Sequence, residues 1–335
     1  MPDRVHLAAM HNYDFLYSLS TGDVTSNAIC VEIHRGADIG AAISDERFDL
    51  VELSLSGYIQ STLKGDNTFV GIPVFLRRMP CQRSWYVHQD SDIDSFADLW
   101  GRRIGLNHWS ATGNVWARIA AQDDGLDLRS VHWFLGSTDG GPWNPQSPGS
   151  DYAQFTTISG RMIDRLIAGE LDAVTSQLAP TNYYADHDHP PVRRLIEDFR
   201  AAEYAYISRT QVYPAHHVLA VRRTALEQSP HLAVAAYRLL VEARAWWQLQ
   251  RLKYGDTTPW ITAEIEFAME EFGDWQLDPY GTNPTMLSML CKELHAQRIT
   301  DTLADPVELF TEFSQMDQSQ AGVVSVPTMP WHSWH

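Results

Sequence analysis

A small set of side chains in this chain could move protons or grip an anion. His217 closes the stretch YPAHH and opens the apolar run HVLAV, and imidazole exchanges protons near neutral pH. It is the first candidate for acid–base work, with a backbone-bonded structural histidine as the alternative. His216 points to the opposite face if this run is a strand, so at most one of the pair faces a site. Arg78 follows the apolar stretch ending at Phe75, with Arg77 and Arg83 beside it. A guanidinium there could hold a carboxylate through two parallel hydrogen bonds. Glu52 sits among the apolar residues of LVELS. It is either a buried acid with a raised pKa or a paired structural charge.

Further candidates cluster at the ends of predicted elements. Ser54 and Ser56 flank a strand-to-helix turn, where one serine caps the helix and the other could meet an anionic ligand. Thr112 opens a later helix, as a plain N-cap or as the second half of a ligand clamp. His108 precedes it and could contact ligand or transfer a proton. Tyr13 and Asp14 follow the first strand; Asp14 is either a turn former or an acceptor for a hydroxyl proton. Tyr213 stands just before the two histidines. Trp85, Trp116, Trp133 and Trp143 read mostly as core, with one or two lining an aromatic site. His187 and His189 in ADHDHPP have a metal-like look, but no third ligand accompanies them, and a solvated linker is the simpler reading. The terminal WHSWH is equally ambiguous. Cys30, Cys81 and Cys291 are far apart and form no zinc or CxxC pattern. Three reduced thiols in a cytoplasmic protein is the simpler account. A nucleophilic Cys81, activated by Arg78 and Arg83, is the alternative.

These residues need a scaffold, and the hydrophobic pattern alternates short strands with amphipathic helices, the α/β signature. Strands are expected at Val5–Met10, Phe48–Leu53, Phe69–Phe75, Trp85–His88, Val131–Leu135, Ala173–Ser176, Val192–Ile196 and His217–Arg222. A further strand ends the Asp98–Leu106 segment. Helices are expected at Asp38–Ser44, Ser56–Lys64, Ala111–Asp123 and Arg161–Ala168. Gly136–Asp151 reads as a long loop. The chain from Thr224 to about Phe313 reads as mostly helical, with Ser314–His335 a low-structure tail. The expected division is discontinuous: residues 1–88 plus 217–335 form lobe I, and 89–216 form lobe II. Two crossover strands then join the lobes, Trp85–His88 outward and His217–Arg222 back, with a ligand cleft between. The Trp246–Trp247 pair is a candidate contact for a partner subunit.

Composition narrows the partners. The 335 residues carry 25 Lys+Arg against 42 Asp+Glu, a net charge of −17, which repels phosphate backbones and argues against nucleic acid. No apolar run approaches the roughly 20 residues of a membrane helix. No secretory signal is visible at MPDRVHLAAM, so a cytoplasmic location is expected.

The wording of the chain resembles the 4,5-dihydroxyphthalate decarboxylase family, whose fold is of the type II periplasmic-binding-protein class. The matching pieces are DLVELSLSGYI at 49–59, GIPVF at 71–75 with Arg78 after it, DLWGRRIGL at 98–106, and Thr112 with VWAR at 115–118. HW at 132–133, AGELDAVTS at 168–176, AP at 179–180, AEYAYISRT at 202–210, YPAHH at 213–217 and DPYG at 278–281 complete them. AGELDAV and DLWGRRIG are common to many binding proteins of this fold. ELSLS, VFxxR, TxxVW and RTxxYPxxH in one order are more specific. The chain departs from the pattern at Phe15, MPCQR 79–83, His108 and Leu178, which implies a relative acting on a different aromatic acid.

The resemblance implies a two-lobed α/β enzyme that removes CO₂ from a hydroxylated aromatic or related unsaturated acid. It also implies a homo-oligomer with a small aromatic carboxylate as partner. Such chemistry pushes electron density onto the ring carbon, which a general acid must protonate. No organic cofactor is needed in principle, and no GxGxxG, Walker A or HExxH pattern is present; a divalent metal stays open. In this reading His217, Arg78, Glu52 and His108 are catalytic. Tyr13, Asp14, Ser54, Ser56, Arg77, Arg83, Thr112, Tyr213 and His216 bind substrate. The alternative is a non-catalytic solute-binding protein for an aromatic or anionic small molecule, because a fold alone does not fix function.

Overall fold

Runs such as LVELS and HVLAV, apolar on one or both faces, fold as expected into neighbouring buried strands of one of two mixed sheets. The computed structural model describes residues 2–141, 143, 152–184, 188–251, 259–272 and 284–319. Its strands are β1 (Asp3–Ala9), β2 (Ile29–Arg35), β3 (Leu50–Ser54), β4 (Phe69–Ile72), β5 (Trp85–His88), β6 (Arg103–Leu106), β7 (His132–Ser137), β8 (Gln154–Arg161), β9 (Ala173–Thr175), β10 (Val192–Arg194) and β11 (His217–Arg222). Its α-helices are α1 (Tyr17–Thr21), α2 (Ile39–Ser44), α3 (Leu55–Leu63), α4 (Thr112–Asp123), α5 (Met162–Ile167), α6 (Phe199–Thr210), α7 (Arg223–Gln228), α8 (Leu232–Gln250), α9 (Ile261–Phe272), α10 (Pro284–Ala296) and α11 (Thr311–Ser319).

The chain divides into two units. One comprises Met1–Arg77, His217–Pro284 and Asp305–His335; the other comprises Arg78–His216 and Thr285–Ala304. The expected boundary after His88 therefore falls earlier, at Arg78. The reason is pairing: β5 bonds antiparallel to β9 and β10 and so belongs to the second unit's sheet. Residues 285–304, expected with lobe I, also cluster with the second unit. There the Gln297 side chain accepts from Arg118 of α4 at 2.7 Å.

The first unit carries a sheet in the order β2-β1-β3-β11-β4. β1 runs parallel to β2 and β3, whereas β11 is antiparallel to β3 and β4. Val5, Leu7, Leu50, Ile72, Leu219 and Val221 share one core with Leu239, Leu240 and Ala243 of α8. Trp246 lies in that same core, and the Trp247 indole donates to Asp14 at 2.7 Å. Trp246 thus packs inward, and Trp247 is half-buried against the same core. Tyr58 of α3 lies so close to Gly71 of β4 that a Cβ there would sit 2.5 Å from its ring. The tyrosine hydroxyl uses that space to accept from Gly71 N–H and donate to the Leu309 carbonyl.

The second unit carries a sheet in the order β10-β5-β9-β6-β7-β8. Tyr86, Val174 and Val192 pack with Met162, Ile163 and Leu166 of α5. Trp85, Trp109, Trp116 and Trp133 are fully buried. Among the described residues, no helix is long and apolar enough to cross a membrane.

Candidate active site

In the first unit, the chain leaves β1 toward β2 on one side and, later, β3 forms on the other. The strand order therefore reverses direction between β1 and β3, and in open α/β sheets ligands gather beyond the strand ends at such a point. Met10, His11 and Tyr13 follow β1. Glu52 lies near the end of β3. β11 is antiparallel to β3, so its first residue, His217, lies opposite Ser54 at that same edge.

Alternation along β3 puts Glu52 on the face of Leu50, and only 1 % of the residue is exposed. A bare carboxylate there would be costly, and three donors satisfy it. Met10 N–H donates to Oε2 at 2.6 Å. The Tyr13 hydroxyl and His217 Nδ1–H both donate to Oε1. Burial pushes the Glu52 pKa up, but the hydrogen bond and charge of His217, with Tyr13 and Met10 N–H, outweigh it and hold the group below its usual value. Of the two readings open from sequence, the paired charge is the one found, and the raised-pKa acid is not. Tyr13 moves the other way: burial and the adjoining Glu52 carboxylate push its phenol far up, so it stays a hydrogen-bond donor.

Beside this cluster, Arg77 Nη1 donates to His11 Nε2 at 2.6 Å, which makes that nitrogen the acceptor. Burial, and then the Arg77 charge, lower the His11 pKa and favour the neutral ring. The His11 ring meets Tyr13 edge-on at 5.9 Å. Arg77 is half-buried and, among the described residues, makes no ion pair with a carboxylate. Its carbonyl accepts from His217 N–H at 3.4 Å, tying it to the start of β11. The arrangement can therefore do two things. His217, with Nδ1–H held by Glu52, is oriented to exchange a proton through Nε2. Arg77 offers a cation to an incoming anion.

The other sequence candidates lie elsewhere or are occupied. Asp14 is exposed; it accepts from Phe15 N–H and the Trp247 indole, which is a turn-forming role. Ser54 is the N-cap residue of α3 but makes no side-chain cap bond; its hydroxyl lies 3.3 Å from that of buried Ser56. In the second unit, Arg78 donates to the Tyr213 carbonyl at 2.9 Å and lies 5.1 Å from the Tyr213 ring. Arg83 forms a bidentate pair with Glu203, a residue only 4 % exposed, so its charge is already matched. His216 is buried, with Nε2 2.9 Å from the Met79 carbonyl and 3.5 Å from Cys81 Sγ. That thiol also has the Gly113 carbonyl and Gln177 Oε1 at 3.7 Å. Thr112 is the first residue of α4 rather than its cap, a position Ala111 takes. His108 is half-buried beside Trp143, and burial lowers its pKa. Thus Tyr13, Glu52, Arg77 and His217 come together in one unit, while Arg78, Arg83, His108, Thr112, Tyr213 and His216 belong to the other. His187, DPYG 278–281 and WHSWH lie outside the described residues.

Sequence reasoning missed His11 and the Met10 amide. The signal available was position: both directly follow the first strand, at the edge that already singled out Tyr13.

No protein-family profile matches the chain. Comparison with curated proteins finds the 4,5-dihydroxyphthalate decarboxylase of Comamonas testosteroni, 29% identical over 316 residues, or 90% of this chain and 94% of the relative. The enzyme of the same name from Pseudomonas putida is 33% identical over 160 residues, 46% of this chain and 61% of that relative. The chain is thus similar along most of its length to one named 4,5-dihydroxyphthalate decarboxylase and over about half of it to another. Its fold is that of the periplasmic binding proteins. The aliphatic sulphonate binding protein of Escherichia coli superposes with a TM-score of 0.51 at 15% identity, covering 91% of each chain. A sulfonate-binding protein of Methylobacillus flagellatus gives 0.52 at 12%, covering 99% of each. The desulfurization enzyme DSZB gives 0.51 at 16%, covering 94% of this chain and 99% of its own.

Proposed function

We propose that the chain is a carboxy-lyase that removes CO₂ from a hydroxylated aromatic carboxylic acid. The observation that carries this is the buried Glu52 carboxylate receiving His217, Tyr13 and the Met10 amide together, in a relative of named decarboxylases. Arg77 binds a carboxylate of the substrate. His217, oriented by Glu52, works as the acid–base group. In its protonated form it delivers the Nε2 proton to the ring carbon. The bond from that carbon to the carboxylate carbon breaks, its electron pair stays on the ring, and CO₂ departs. A ring hydroxyl ortho or para to the carboxylate feeds density to that carbon and lowers the barrier. Tyr13 holds Glu52 in place and keeps the imidazole tautomer fixed, with its own proton retained at neutral pH.

The departures from the family wording at Phe15, 79–83, His108 and Leu178 support a substrate other than 4,5-dihydroxyphthalate. The test is a CO₂-release screen of hydroxybenzoates, hydroxyphthalates and heteroaromatic analogues, with metal-stripped and metal-reconstituted protein. Turnover of at least one hydroxylated acid is expected. Tight binding of an acid with no turnover across the panel would instead favour a solute-binding protein, a role several fold relatives have by name.

A further inference from the structure

The face of the first sheet away from Glu52 carries a second cluster. Leu7 pairs with Leu50, so Glu52, two residues on, shares the Leu7 face, and His6 points the other way. His6 stands opposite Glu32 in the parallel β1–β2 ladder, and His34 lies two residues beyond Glu32 on the same side. The register thus brings two imidazoles and a carboxylate to one spot. His6 Nδ1 lies 3.1 Å from His34 Nε2. Glu32 Oε2 lies 3.8 Å from the former and Glu32 Oε1 3.6 Å from the latter. Two N–H groups cannot point at each other across 3.1 Å, so at least one nitrogen presents its lone pair.

We propose that His6, Glu32 and His34 bind one divalent ion of the zinc class. A tetrahedral zinc with bonds of about 2.0–2.2 Å places its donors roughly 3.3–3.5 Å apart. The three observed separations bracket that spacing, so one ion could reach all three side chains with little movement, Glu32 through either oxygen. Two imidazoles and one carboxylate suit zinc, nickel, cobalt or copper rather than magnesium or calcium. The His6 backbone and the His34 ring each have a fixed neighbour. Asp49 accepts from the backbone amide of His6 at 2.8 Å, and the His34 ring packs edge-on against Phe48 at 5.2 Å. The three side chains are part-exposed, which gives an ion access and leaves a position for water. β2 ends the strand order of its sheet, so an ion here would clamp that outer strand to β1. This site is independent of the proposed decarboxylase chemistry.

The test uses full-length, chelator-treated protein titrated with zinc chloride by calorimetry, with Tm followed in parallel. Wild type is expected to take up one ion more than His34→Ala, and its Tm to rise with zinc. Glu32→Gln, a change at an exposed side chain, keeps the test valid if His34→Ala misfolds, and should weaken binding roughly tenfold or more. His332→Ala/His335→Ala, which removes the C-terminal histidines, should leave uptake at this site intact. Equal stoichiometry and affinity in wild type, His34→Ala and Glu32→Gln would overturn the proposal, as would no uptake by wild type.

Discussion

His217 donates its Nδ1 proton to Glu52 across adjacent antiparallel strands, joining residues 165 positions apart in sequence. The side chain of His217 is 12% exposed and that of Glu52 1%, so a nearly dry carboxylate sets the tautomer of an imidazole that solvent can still reach. This is the geometry of an oriented proton-transfer group.

Removing the carboxylate should cost stability. Glu52→Ala strands the Tyr13 hydroxyl and the Met10 amide and leaves His217 without its counter-charge. Breaking a buried charge pair from one side costs about 3–5 kcal/mol. Glu52→Gln keeps one acceptor oxygen but turns an NH₂ toward one of the donors, so a loss of about 1–3 kcal/mol is expected. Urea unfolding of the three proteins checks the order.

The same pair sets an acid limb. Glu52 is held below its ordinary value of 4.5, so its stabilising contribution is complete above that value. It is lost as pH falls through the depressed folded-state value. The stability gap between wild type and Glu52→Gln should therefore be constant near neutrality and shrink on the acid side. Urea midpoints from neutral pH into that range would show it; a gap that persists unchanged in acid contradicts the assignment.

Arg77 should act on substrate rather than on folding. Among the described residues its guanidinium contacts His11 but no carboxylate. Arg77→Ala should lower kcat/KM for an aromatic acid about 10–100-fold, the worth of one hydrogen-bonded charge contact, mainly through KM. Arg77→Lys should recover only part of it, since an ammonium lacks the planar fork. Steady-state kinetics with circular dichroism as a folding control decides this.

Arg118 is a structural cation of the second unit. It is fully buried, donates to Gln297 Oε1 and the Trp109 carbonyl, and lies 3.7 Å from the Trp109 ring. Burial pulls its pKa down to about 9. Arg118→Ala should destabilise by about 3–5 kcal/mol through the cavity and the orphaned acceptors. Arg118→Lys should rescue little, because an ammonium cannot stack on the indole while reaching both oxygens. Chemical denaturation of both variants measures the difference.

Much of the scaffold can be read from sequence because its strands are short and strongly apolar. HVLAVR and WYVH fall where expected. ICVEIHR alternates apolar and polar residues as an edge strand should, and reading that period would have placed β2 and with it Glu32 and His34. FRAAEYAYISRT escapes notice for a physical reason: α6 buries only Glu203 and Tyr206, so it shows no apolar stripe. At the site, Glu52 and His217 stand out as a charge in an apolar strand and a histidine at a strand start. Arg77 and Arg78 could not be ranked. β4 ends at Ile72, and beyond it no strand alternation tells which of two adjacent arginines approaches His11 and which meets Tyr213.

The central claim is that His217, oriented by Glu52, carries the proton in decarboxylation. The most direct measurement is the rate of CO₂ release from the best acid of the screen by wild type, His217→Ala and Glu52→Gln, each confirmed folded. Loss of about 10²–10⁴-fold in kcat for His217→Ala, with a smaller loss for Glu52→Gln, is the predicted result. A His217→Ala protein that folds and releases CO₂ at the wild-type rate would contradict it.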